Sequence, residues 1–113
     1  MAHSSHFLTA STLTGDKVTN LKGESLGDLK DIMIDTDSGS IAYGVLSFGG
    51  VLGMGEKLFA VPWEALRVDS AKHELVLNVE KDRLKDAPGF DKDHWPNFAD
   101  TTFVNSIRQY YIQ

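Results

Sequence analysis

The sequence predicts a small, mainly β fold: a six-stranded antiparallel barrel carrying a short helical extension at its C-terminus. Three observations predict it. Residues 41–48 place Ile41, Tyr43 and Val45 on one face of a strand and Ala42, Gly44, Leu46 and Phe48 on the other. Apolar residues on both sides at period two require a sheet that is closed or covered on both faces. Turn-forming clusters at residues 36–39 and 69–72 punctuate short alternating runs, as in small barrels and sandwiches. Beyond residue 89 the period changes, and Phe103, Ile107, Tyr110 and Tyr111 recur at helical spacing.

Length and composition bound the problem before any element is placed. The chain has 113 residues, 42% of them hydrophobic, which is enough for one domain with one modest core. It divides into a flexible N-terminus (1–9), a barrel domain (10–88) and a C-terminal extension with the amphipathic helix (89–113). No run of about 18 apolar residues predicts a membrane span, and no signal-peptide pattern is present. Cysteine is absent, which removes disulfides and thiolate metal sites and fits a cytoplasmic location. A net charge of -5 disfavours nucleic acid and anionic lipid as partners.

In chain order, Ser11 is placed to cap a single helical turn before Gly15. Val18 centres a short strand that residues 22–24 turn back. Residues 26–35 form the next strand. Leu29 falls on an odd position while Ile32 and Ile34 fall on even ones, so a β-bulge is expected near Lys30 and Asp31. Gly39 is available for positive φ in the hairpin turn that follows. After the strand at 41–48, residues 49–55 are too rich in glycine for a helix and too apolar for an ordinary solvated turn. Pro62 cannot donate to a ladder and ends the next strand or confines it to an edge. Trp63 is expected to plug the barrel, burying about 150–250 Å². Leu66 and Val68, then Leu75, Leu77 and Val79, supply the last two strands. One helical turn over residues 81–86 stops at Ala87-Pro88-Gly89. Asp100 is the expected N-cap of a final helix of about three turns. A helix this short is marginal alone and has to dock on the barrel or on a partner.

Residues able to do chemistry are present, but in patterns that do not assemble a site. After Asp35 and Asp37 the glycine, Gly39, comes one position early for a calcium loop, and the twelfth place holds Leu46. Residues 49–55 are followed by Glu56, Lys57 and a strand, not by the helix N-terminus that a phosphate cradle needs. His3 and His6 fall in the terminus, and His73 and His94 lie far apart among acids, so surface positions account for them better than a metal does. Nothing resembles a nucleophile elbow. No catalytic residue, cofactor site or metal site is assigned, and the reading is non-enzymatic.

Taken together, several pieces of the chain resemble the PRC-barrel family. They are V-x-N-x-x-G-E-x-x-G at residues 18–27, the Asp31 and Asp35 positions, Gly39, the turn Val61-Pro62-Trp63, and Ala87-Pro88. They cover about residues 10–88, and the aromatic tail looks like that of small stand-alone bacterial members. The family is also known from the cytoplasmic domain of the photosynthetic reaction-centre H subunit and from a ribosome-maturation factor. The resemblance implies a six-stranded β-barrel used for protein interaction or assembly, with no catalytic set shared across the family.

The function expected from both lines is an interaction module that self-associates, with a homodimer as the expected form and a further protein partner allowed. Its candidate surface is Val51, Leu52 and Met54 in the glycine-rich loop and Trp95, Phe98, Phe103, Ile107, Tyr110 and Tyr111 in the tail. The loop either folds over the barrel mouth or stays open to a partner. Two alternatives stand behind this reading. A small-ligand barrel is opposed by the narrow bore of six strands. An RNA- or ribosome-associated factor is suggested by a distant family member and opposed by the acidic charge.

Overall fold

Turn and cap residues set where each element begins. The computed structural model describes residues 7–48 and 57–112. Helix α1 (Ala10–Leu13) is capped by Thr9, whose hydroxyl accepts from the Thr12 amide at 3.2 Å. The cap is therefore Thr9 and not Ser11: Thr9 holds the extended backbone an N-cap needs, while Ser11 already lies inside the helix. Then follow β1 (Lys17–Thr19), β2 (Ser25–Asp35), β3 (Ser40–Phe48) and β4 (Lys57–Pro62). A single 3-10 turn (Trp63–Ala65) leads into β5 (Leu66–Asp69) and β6 (Glu74–Leu77). Two helices close the chain, α2 (Lys81–Leu84) and α3 (Thr101–Tyr111).

The six strands form one curled sheet in the order β4-β3-β2-β1-β6-β5. It is a half-barrel of mixed pairing, not a wholly antiparallel one. β1 runs antiparallel to β2 but parallel to β6, with Val18 opposite Leu75. Only strands joined by tight turns are obliged to run antiparallel, and β1 reaches β6 after the whole meander has intervened.

The expected bulge is present. The β2–β3 register slips between Leu29 and Asp31, and again between Met33 and Ile34. Each slip bends the long strand. Gly27 makes the curl possible: at φ +130°, any Cβ there would stand 2.0 Å from the Ser47 carbonyl oxygen.

Two apolar clusters lie on opposite faces of the sheet. Inside the curl, Leu26, Leu29, Leu46, Phe59, Val61, Leu75 and Leu77 pack with residues from α1 and α2. On the outer face Tyr43, Ala60 and Ile107 form a second buried cluster, flanked by Met33, Ala42 and Phe103. The β3–β4 register aligns Leu46 with Phe59 on one side and Val45 with Ala60 on the other. That is why β3 is apolar on both of its faces. The plug of the curl is Phe59, fully buried, and not Trp63, which is half-buried and packs against the same cluster from the 3-10 turn. At Gly44 an added Cβ would meet Leu66 at 2.8 Å, so the glycine lets the turn and β5 close down on β3.

Candidate functional site

The tail is the part of the molecule the sequence marked for binding, and its apolar side chains, Trp95 apart, are turned against the barrel. Asp100 caps α3 as expected, its carboxylate accepting from the Thr102 amide at 2.9 Å. Before it, Phe90 bridges the free edge of β4. Its carbonyl accepts from the Leu58 amide at 2.9 Å and its own amide donates to the Leu58 carbonyl at 2.8 Å. Phe98 then lies against Tyr43, ring centres 5.4 Å apart, and against Phe103 at 5.5 Å. Ile107 completes the seal with no exposed surface. Edge-to-face and tilted ring pairs of this kind add to the area they bury.

Polar contacts fix the helix in place. The Arg108 guanidinium donates to both carboxylate oxygens of Glu64, at 2.8 and 3.2 Å. A two-pronged contact of this kind sets orientation as well as attraction. It ties α3 to the turn after Pro62, and Arg108 holds the Glu64 carboxyl below the usual carboxylate range. The Tyr110 hydroxyl donates to the Arg83 carbonyl, and the Arg83 guanidinium lies over the Tyr110 ring at 5.3 Å. Tyr111 carries a buried hydroxyl with no hydrogen-bond partner among the described residues; burial, with Tyr110 adding to it, pushes its pKa up.

The structure thus brings Phe98, Phe103 and Ile107 together on the outer face of the barrel, with Tyr111 packed against both clusters and Tyr110 on the inner cluster's margin. Trp95 sits at the rim, 5.1 Å from Phe90, and keeps 40% of its surface exposed. Val51, Leu52 and Met54 lie outside the described residues. What receives the helix is Tyr43, Ala60 and their neighbours on β3 and β4. Other large apolar side chains left open are Phe7 and Leu8 before α1, Leu21 on the β1–β2 turn, Ile34 on β2 and Val68 on β5.

Two polar groups that the sequence reading left without a role are structural. Asn20 is buried and fully occupied: its carbonyl oxygen accepts from the Lys22 and Glu24 amides at 3.0 Å, and its amide donates to Glu24 and to the Val79 carbonyl. With Gly23 at φ +81°, this explains the N-x-x-G-E spacing as one turn stapled to the segment after β6. In the next turn Asp35 does the capping, accepting from the Asp37 and Ser38 amides at 3.0 and 3.4 Å. Among the described residues no three His, Cys, Asp or Glu side chains converge as metal ligands would.

A curled, mixed six-stranded sheet with a filled interior and a helix strapped to its outer face defines a small β-barrel domain. The chain belongs to the PRC-barrel domain family, whose sequence profile matches residues 6–84. No curated protein matches the sequence. Among solved structures, it is similar to a candidate 16S ribosomal RNA processing protein, RimM, from Pseudomonas aeruginosa. The two are 18% identical with a TM-score of 0.45, over 66% of this chain and 45% of that one. This chain therefore spans less than half the length of that protein. No helix among the described residues is long and apolar enough to cross a membrane.

Proposed function

We propose that this chain is a non-enzymatic interaction and assembly module that self-associates in the cytoplasm. One observation carries the reading: the inside of the curl is occupied by its own side chains. Phe59, Leu26, Leu29, Leu46, Leu75 and Leu77 are each at most 2% exposed, and they fill the bore that a small ligand would need. A barrel of this kind works through its outside and its edges. Trp95, Leu21, Ile34 and Val68 supply apolar contact points there, and aromatic anchors such as Trp95 are the residues that most often carry interface energy. The tail residues serve chiefly by shaping that outer surface, with Trp95 as their open member.

Sedimentation equilibrium of the full chain over a wide concentration range tests the reading. A monomer–dimer equilibrium is expected. A strictly monomeric chain at every concentration removes self-association from the proposal.

A further inference from the structure

The two ends of the sheet are finished differently. At the β4 end, Phe90 takes up the ladder groups of Leu58 and the tail passes over the edge. At the β5 end the ladder stops: β5 pairs with β6 on one side, and among the described residues no strand pairs with its other side. An open edge of this kind offers unpaired backbone donors and acceptors to another strand.

We propose that the β5 edge is the self-association surface, and that its occupant is β5 of a second copy, added antiparallel across a two-fold axis centred on Val68. This deepens the proposed function and rests on its self-association.

The residues of β5 are self-complementary in that register. Val68 lies opposite Leu75 and Leu66 opposite Leu77 within the chain, so both face the inside of the curl. Yet Val68 keeps 37% of its surface exposed, because the sheet ends beside it. Arg67 and Asp69 alternate onto the other face, next to Val76 and Glu74. Centring the pair on Val68 sets that residue against its own copy and closes an apolar contact where the half-barrel opens. It also sets each Arg67 directly across from Asp69 of the second copy, twice by symmetry. Lone like charges on an edge strand repel a neighbour. One basic and one acidic residue, equally spaced about a valine, instead select an antiparallel copy of themselves. Leu21, 70% exposed, and Val76 line a hollow beside Arg67 on the same side, which extends the contact beyond the strand. Three paired strand residues a side bury less than a standard interface, so the dimer is weak, with a Kd on the order of micromolar.

The test uses two charge reversals, Arg67→Glu and Asp69→Arg, first apart and then mixed, in sedimentation equilibrium of the full chain. Each alone puts like charges opposite each other in both symmetric pairs. A loss of at least about tenfold in dimer affinity is expected for each. The mixture restores both pairs in a heterodimer, so its affinity should return to within about threefold of the unaltered chain. Unchanged circular dichroism and Tm in each variant separate loss of the contact from loss of the fold. If the single variants dimerise as tightly as the original, or their mixture regains nothing, the β5 edge is not the interface, while self-association through another surface stands. If the unaltered chain never dimerises, both proposals fall together.

Discussion

The inner and outer apolar clusters are built from the same sheet but from different lengths of chain. The inner one draws on Leu13, Val18, Leu26, Phe59, Leu75, Leu84 and Ala87, so almost every element contributes. The outer one draws on Tyr43, Ala60 and Ile107, which is one strand pair and one helix. A cluster shared by all elements fails only when the whole fold fails. A cluster confined to one strand pair and one helix can open on its own, which is the basis of sub-global unfolding. The barrel and its strap should therefore be separable in stability.

The contrast can be broken most forcefully from inside. Phe59→Ala should cost about 3–5 kcal/mol and melt barrel and strap together in one transition. Two transitions in that variant would mean that the inner cluster is not common to all elements. Next in size, Ile107→Ala should cost about 2–5 kcal/mol of docking, felt by α3 alone. Amide exchange should then quicken along residues 101–111 while β1 and β6 keep their protection; equal loss in both would erase the distinction. Tyr110→Phe removes only the hydroxyl bond to Arg83, and about 0.5–1.5 kcal/mol of helix anchoring should go with it.

Acid gives the smallest effect and the sharpest location. Glu64 has its folded pKa lowered by Arg108, below the ordinary value of 4.5. A lowered carboxyl stabilises the fold fully above the unfolded pKa and loses that contribution as pH falls through the folded one. The ion pair is exposed, so its contribution is small and salt-sensitive. NMR of α3 between pH 6 and pH 3 should show docking loosen below about pH 4.5. Glu64→Gln should lack that step; if it titrates like the original, another group is responsible.

How much of this could be read in the sequence divides along the same line. Alternation of Tyr43 and Val45 with Gly44 and Leu46 stated that β3 is covered twice. The spacing of Phe103, Ile107 and Tyr111, with Asp100 as cap, stated that a helix needing a cover follows. Each half of the contact was legible, because period and capping are local. That each half covers the other was not, since nothing in a strand's pattern names the helix that will lie on it. The bulge at Lys30 was legible from a broken alternation, which is local too. The direction of β1 against β6 was not, because a three-residue strand pairs alike with parallel and antiparallel neighbours until topology decides. Trp63 was given the plug's place because its size and the preceding proline are conspicuous. Phe59, centred in Leu58-Phe59-Ala60-Val61, holds that place because it faces the inner cluster opposite Leu46 and is fully buried there, while Trp63 in the following 3-10 turn is half-buried. The Glu64–Arg108 contact joins residues with no sequence signal between them.

The insertion of β1 between β2 and β6 also governs the order in which the molecule can assemble. β2, β3 and β4 succeed one another along the chain and can zip up as hairpins. β1 cannot complete its second ladder until the chain has closed from Lys17 to Glu74. Closing a long loop carries an entropy cost that grows with the logarithm of its length, and such non-local pairings slow folding across proteins generally. Docking of the β5–β6 hairpin onto β1 is thus the late event. Stopped-flow folding of Leu75→Ala should show faster unfolding with little change in the folding rate; a slowed folding limb would place that pairing in the nucleus instead. Until the hairpin arrives, the middle of the sheet is an uncovered edge, and a newly made chain is then at its most prone to aggregate.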